Sequence, residues 1–352
     1  MRVIGIDPGT GSFDFFGMDG DEVIIDASIA VPRVAENPGV LLETIGSLLP
    51  LDMIIGPSGY GLPVLSIRDM SAADLDMMVP DDPSVPLYEG IRLVLRKMQS
   101  EKLPVVFTPG AIHLPTIPSY RKSNKMDMGT ADKVCCVALA IKDQAERCSL
   151  AFNRTSFILA EVGYAFSAAL AVENGRIIDG LGGTSGGPGF VTMGCMDAEL
   201  AVRLGNFPGA ALFSGGARDE TGRANITPYE LARKRDIYPG AWNMLVESTA
   251  KNVAAMTVAL PEPREFLISG RLSGIPELAD DLAKRLTRFG TVRKVGRNAG
   301  TAKEAAEGAF IIGEGLAGGK YRGITECLEL NKASGTMYDY LTINGVNVRR
   351  PV

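Results

Sequence analysis

The run VIGIDPGTGSFDF, residues 3–15, carries a buried apolar stretch into an acid, Asp7, and then turns through Pro8, Gly9, Thr10, Gly11 and Ser12. A turn of this composition bares backbone N–H groups that cradle phosphate oxygens, and Thr10 and Ser12 add hydroxyl donors. Asp7 suits Mg2+ held through water, because a hard cation bridging phosphates takes oxygen ligands and keeps much of its hydration. The competing reading is a plain tight hairpin in which Asp and Gly act as turn formers. A second glycine-rich run, GLGGTSGGPGF at 180–190, offers related chemistry: its glycines, Gly183 among them, admit an anion to the backbone, and Thr184 and Ser185 donate.

A third region, SYRKSNKMDMGTADK, gathers Arg121, Lys122, Lys125, Asp127, Asp132 and Lys133 near the middle of the chain. A guanidinium such as Arg121 neutralises a transferring phosphoryl group or grips a carboxylate with its planar fork. A carboxylate acceptor is already an anion and needs no general base, whereas a hydroxyl acceptor calls for an acid side chain such as Asp127 or Asp132. The same charges also suit a solvated hinge with a helix cap. Arg218 and Asp219, in FSGGARDE, are weaker candidates for the same cleft.

Regular elements must hold these residues. Residues 2–7 read as a buried strand, and FDFFGMDG and EVIIDASIAV follow as two further β-rich runs. Helical spacing over 38–50, a strand over LDMIIGPSGYG, a helix from 90 to 102 and a strand at LPVVFTPGAI complete a mixed α/β first half, interrupted by a Pro- and Met-rich insertion at roughly 63–88. A helix with apolar spacing from Val134 leads into SFILAEVG, AFSAALAVENG and RIIDGLGG, where Asn174-Gly175 is the strongest hairpin signal. Helices near 196–204, 227–234 and 240–258 precede the strand and turn EFLISGRLSG and the helices PELADDLAKRLTRF and TAKEAAEGAFIIGEGLAGG. Gly308, Gly313 and Gly315 on the last helix imply close packing against a neighbour or nucleotide, or a simple helix end. The second half thus echoes the first, which predicts two α/β domains, 1–148 and 149–352. No short-period repeat supports a solenoid or propeller.

With 352 residues the chain exceeds one ordinary core, and 46% apolar against 22% charged residues marks a folded enzyme. The net charge of -5 without a basic run speaks against nucleic acid. The start lacks the features of a signal peptide and no apolar run spans a bilayer, so a cytoplasmic protein without membrane contact is expected. The cysteines, Cys135, Cys136, Cys148, Cys195 and Cys327, form no CxxC pair and are expected as buried small hydrophobes. His113, the single histidine, is expected at the surface, and so low a count removes most mechanisms that need a His-rich metal site or a Ser-His pair.

Residues 3–17 resemble the first phosphate loop of the acetate and sugar kinase, heat-shock and actin superfamily, and DPGTGSFD is similar to the loop of butyrate and acetate kinases. Those kinases usually carry Asn at the position of Asp7, while sugar kinases and actins carry Asp. The whole chain resembles an archaeal family described as predicted butyrate kinases (DUF1464). AEVGYAFSAALAVENGRIIDG resembles the second phosphate loop, with Glu161 and Gly163 at the positions of the usual Asp and Gly, and with Tyr164 and Phe166 where most members have glycines and hydroxyls. EFLISGRLSG resembles the adenosine loop, which places Gly270, Arg271 and Gly274 at the nucleotide; a glycine-capped strand-to-helix turn is the alternative.

The resemblance implies two ribonuclease-H-like (actin-like ATPase) domains, each with a mixed five-stranded sheet flanked by helices, closing over ATP and Mg2+. It implies phosphoryl transfer to a small-molecule acceptor, a short-chain carboxylate above others, and a homodimer by analogy with carboxylate kinases. A hydroxyl or sugar kinase, and an actin- or heat-shock-like ATPase sensor, are the rival readings. The related dehydratase activators, with an iron-sulfur cluster between subunits, do not fit these cysteines.

Overall fold

The computed structural model describes residues 1–343. The first sheet contains β1 (Arg2–Pro8), β2 (Ser12–Asp19), β3 (Glu22–Ala30), β4 (Met53–Ile55), β5 (Leu65–Ser66) and β6 (Val105–Phe107). The second contains β7 (Ser156–Val162), β8 (Ser167–Glu173), β9 (Arg176–Leu181), β10 (Glu265–Ser269) and β11 (Val292–Lys294). Helices of eight or more described residues are α1 (Gly39–Gly46), α2 (Pro86–Ser100), α3 (Ala131–Cys148), α4 (Pro239–Ala259), α5 (Pro276–Leu286) and α6 (Glu304–Leu316).

Both sheets repeat one topology. The order β3-β2-β1-β4-β6 in the first matches β9-β8-β7-β10-β11 in the second. In each, three antiparallel strands form a meander and two parallel strands follow through helices. The central strands β1 and β7 are covered on both faces, which is why their sequences read as continuous apolar runs rather than alternating ones. Asn174 and Gly175 both take positive φ, 53° and 71°, the geometry of a two-residue hairpin whose twist matches its strands. The first sheet adds one strand to the expected five: Leu65–Ser66, from the 63–88 segment, pairs antiparallel with the edge of β6.

Three hydrophobic clusters fill the spaces. One lies under α1 and α2, one under α4 and α5, and the third runs between the sheets through α3 and α6. The two central helices exchange halves. α6, late in the chain, packs on β1, β2 and β4, while α3, from the first half, packs on α6 and against β7 and β8. Glycine permits this spacing on both sides of α6. A Cβ on Gly5 of β1 would lie 2.6 Å from that of Ala309, and one on Gly308 would strike the carbonyl of Cys135 on α3. Gly313 packs against Val3 and Ile55, so these helix glycines admit neighbouring protein rather than ligand.

The 63–88 segment folds onto its own lobe and touches the other. Ser71 caps the helix Ala72–Met78 in a capping box with Asp74. Arg92 ties the segment down through the Val79 carbonyl at 2.8 Å and Asp76 at 2.6 Å. From the second half, the N–H groups of Gly209 and Ala210 donate to Asp82 and to Ser84 Oγ at 3.0 and 3.1 Å.

Three residues, His113, Cys148 and Cys195, lie elsewhere than expected. His113 is buried in a short 3-10 turn, and burial pushes its imidazole down to about 4. Residues near 334–340 pack back over this proline-flanked loop, with Ser334 N–H bonded to the His113 carbonyl, a contact invisible to local sequence. Cys135 and Cys136 are buried as expected, but Cys148 and Cys195 are exposed because they fall at a helix end and in a loop. Among the described residues no helix is long and apolar enough to cross a membrane.

Gly308→Ala tests the crossing of the central helices. The added methyl forces α3 and α6 apart, and a loss of at least ~2 kcal/mol is expected, read as a lower urea midpoint at unchanged slope. An unchanged midpoint would refute the close approach.

Candidate active site

β1 and β2 deliver two acids to the same place. In the antiparallel register Asp7 faces Asp14, and both are almost fully buried. Like charges directly opposite on a sheet repel, so the pair persists only with cations supplied from elsewhere. Lys303, the residue before α6, forms an ion pair with Asp7 and lies 3.7 Å from Asp14. Arg271, from the turn after β10, places Nη2 at 2.8 and 2.9 Å from the two Asp14 oxygens and 2.5 Å from Ser12 Oγ. The Ser12 hydroxyl itself donates to Asp14 at 2.6 Å.

A second group sits where α3 begins and β7 ends. The Lys133 ammonium lies 2.6 Å from Asp132 and 3.3 Å from Glu161. Thr130 donates to the other Asp132 oxygen at 2.5 Å. Gly270, at φ 92°, turns the chain so close that a Cβ there would lie 2.5 Å from Glu161 Oε1, which locks that carboxylate beneath the turn.

Burial and neighbours divide the acids. Burial raises the Asp7 carboxyl, opposed by Lys303. It also raises Glu161, to about 7, with Lys133 pulling the other way. Asp132 is only half-buried, and it is held below its usual range by Lys133, Thr130 and Lys303. Burial alone would lower Lys303, yet Asp7 and Asp14 hold its ammonium up at about 12. The site therefore keeps an ionised Asp132 and a charged Lys303, while Glu161 titrates near neutrality.

One cleft collects most of the residues singled out from sequence. Asp7, Gly9, Thr10, Gly11, Ser12, Asp132, Glu161, Gly163, Gly183, Thr184 and Arg271 all line it. Asp127 lies behind its wall: its carboxylate accepts the N–H groups of Gly129 at 2.8 Å and Thr184 at 3.4 Å, and its carbonyl accepts Ser185 Oγ at 2.7 Å. Asp127 thus positions the glycine-rich loop. Arg121 points away, donating to the Ile178 carbonyl at 2.7 Å beside Asp179. Gly274 is not part of the lining, and Arg218 pairs with its neighbour Asp219 at 2.9 Å outside it.

Lys303 and Asp14 were not singled out by sequence. Lys303 carries no motif and reaches the site only because the chain returns to the first lobe. Asp14 did leave a signal, as the polar residue two after Ser12 in a strand of otherwise buried apolar residues. The aromatics of the second loop narrow the cleft: Tyr164 packs against Gly11 and edge-on to Phe190, and Phe166 packs edge-on to Phe213. Met78, Val79, Tyr88, Ile91, Leu212 and Phe213 add an apolar wall.

The residues fit a hydrated divalent cation better than a protein cage for one. Asp7 Oδ1 is buried without a hydrogen-bond partner, an oxygen suited to a hard ion or its water. Among the described residues no cluster of three or more His, Cys, Asp or Glu forms a complete metal site.

Residues 5–343 match the family described as "Protein of unknown function (DUF1464)". The chain belongs to this family. No curated protein sequence matches it. Among solved structures this DUF1464 protein is similar to a propionate kinase from Francisella tularensis, with a TM-score of 0.62 and 14% identity over 87% of this chain and 98% of that one. It is also similar to an acetate kinase from Entamoeba histolytica, at 0.60 and 10% over 82% and 87%. A putative N-acetylmannosamine kinase from Listeria monocytogenes gives 0.51 and 15% over 88% and 97%. These likenesses show the fold alone: the DUF1464 chain is built on the two-domain fold of these acetate and propionate kinase structures.

Glu161 supplies a test of the electrostatics. It titrates near 7 in the fold against an ordinary 4.5, so the unfolded chain releases this proton first as pH rises. Folding stability therefore falls between those two values and levels off above the higher one. Glu161→Gln removes this slope: from pH 5 to pH 8 the variant is expected to gain on the order of 2 kcal/mol relative to wild type in urea denaturation. Parallel pH dependence in the two proteins would overturn the assignment.

Proposed function

We propose that this protein is an ATP-dependent phosphotransferase acting on a small acceptor, with a short-chain carboxylate as the acceptor of choice. The observation that carries the reading is the joining, in one cleft, of a phosphate-cradling turn, a buried network of acids and cations, and an apolar wall. The turn from Pro8 to Ser12 and the loop at Gly183 and Thr184 both line this cleft, as two phosphate loops would. Arg271 and Gly270 lie at the end of β10, where the adenosine of the nucleotide would rest. Mg2+, when bound, would neutralise charge on the phosphate oxygens, with Asp7 holding it through water.

A carboxylate oxygen attacks the γ-phosphorus of ATP, the bond from that phosphorus to the bridging oxygen breaks, and acyl phosphate and ADP leave. No proton is moved, so no base is needed. The chain's residues orient the reactants, hold compensating charge at the floor, and exclude water once the lobes close. Met78, Val79, Ile91, Leu212 and Phe213 favour an acceptor with an apolar tail over one with many hydroxyls, since such walls offer sugar hydroxyls no partners. Asp132 favours a second reading: an ionised carboxylate facing the cleft is suited to accept a proton from a hydroxyl acceptor.

ATP turnover is expected to depend on short-chain carboxylates and to yield acyl phosphate trapped as hydroxamate, falling by ~10²- to 10³-fold in Asp7→Ala, the scale of losing one preorganised electrostatic contributor. Turnover that depends on a sugar and collapses in Asp132→Asn would establish the hydroxyl kinase instead. Turnover indifferent to every acceptor would support an ATPase sensor.

A further inference from the structure

We infer that Lys303 is a mobile phosphate ligand: it neutralises Asp7 while the cleft is empty and moves onto the terminal phosphoryl group of a nucleoside triphosphate when one enters. This rests on the nucleotide-binding reading above and names a residue and a motion within it.

The ammonium sits inside the phosphate turn itself. A Cβ on Gly9 would overlap Lys303 Nζ, so a phosphate cradled by that turn meets this group. The Lys303 side chain is about 15% exposed, against 2% for Asp7 and 0% for Asp14, so it is the most exposed of the trio, and it lines the cleft beside Asp7. An ammonium on a four-carbon stem can exchange one anion for another by rotating bonds, without backbone movement. Its departure leaves the Asp7 carboxylate free for the cation that accompanies the nucleotide.

The backbone that carries Lys303 is fixed. The N–H groups of Gly300, Thr301 and Ala302 all donate to the Asp26 carboxylate of β3, at 2.7, 3.1 and 2.7 Å. Those of Asn298 and Ala299 donate to Glu307 Oε2 at 2.8 and 3.0 Å. Five consecutive donors are thus held by two carboxylates, one on the first sheet and one on α6. Lys303 follows directly and occupies the N-cap position of α6. Asp26 is therefore a positioning residue: it touches no cleft atom but sets the point from which the lysine reaches.

The test is equilibrium binding, measured by calorimetry with ADP and with a non-hydrolysable ATP analogue, each with Mg2+. Wild type is expected to prefer the triphosphate, and Lys303→Gln to lose at least ~10-fold of that preference while ADP affinity stays within a few-fold, the size expected for one charge-assisted contact. Asp26→Asn keeps the ammonium but loosens its loop, and is expected to lower the same ratio by a smaller factor. A ratio unchanged in folded Lys303→Gln overturns the proposal. Should that variant fail to fold, an unchanged ratio in Asp26→Asn overturns it in its place. If wild type binds neither nucleotide, the phosphotransferase reading itself fails, an outcome distinct from the loss of selectivity alone.

Discussion

Everything in this structure is arranged around the burial of opposed charge at the floor of the cleft. Asp7, Asp14 and Glu161 are withdrawn from water, with Asp132 half-buried beside them, and Lys133, Lys303 and Arg271 are brought to them from separate parts of the chain. An isolated buried carboxylate costs several kcal/mol, and its removal from water is offset only when the geometry of its partners is good. The partners here come from the first turn of α3, the turn after β10 and the residue before α6. Folding of both lobes is thus tied to completion of the site, because neither lobe supplies a neutral set by itself.

The two central helices make that completion geometrically possible. α6 begins in the second half of the chain, lies on the first sheet, and brings Lys303 to Asp7; α3 does the reverse and brings Asp132 and Lys133 to Glu161. The close stacking of β1, α6 and α3 depends on absent side chains at Gly5 and Gly308. A helix one methyl farther from β1 would lift its N-terminus, and the lysine with it. Packing and electrostatics are in this sense one constraint, since the depth of the helix sets the reach of the charge.

The cleft is also shaped by replacement. Where the second phosphate loop of the superfamily is expected to be small and polar, Tyr164 and Phe166 pack against Gly11 and Phe213. The loop at Gly183 and Thr184 lines the same cleft and is braced from behind by Asp127. On the other side the 63–88 segment supplies Met78 and Val79 to the wall and, through Asp82 and Ser84, holds the strand of chain that carries Leu212 and Phe213. The apolar wall of the cleft is therefore built from both lobes.

Local patterns were enough for much of this. The apolar runs of β1 and β7, the Asn174-Gly175 turn and the phosphate-type turn after Asp7 are short-range features, dictated by side-chain size, φ preference and strand burial, and sequence carries them directly. The order of strands and helices, repeated once, was enough to specify two α/β domains. What sequence could not reveal is which distant charges meet. Arg121 and Asp127 had the right chemistry at the right place along the chain, yet hydrogen bonds to Ile178, Gly129 and Thr184 turn them to structural tasks. Lys303 had no motif at all, and only the return of α6 to the first sheet gives it an anion to face. Pairing between residues hundreds of positions apart depends on the helix crossing and the sheet register together, and those are properties of the packed chain rather than of any segment in it.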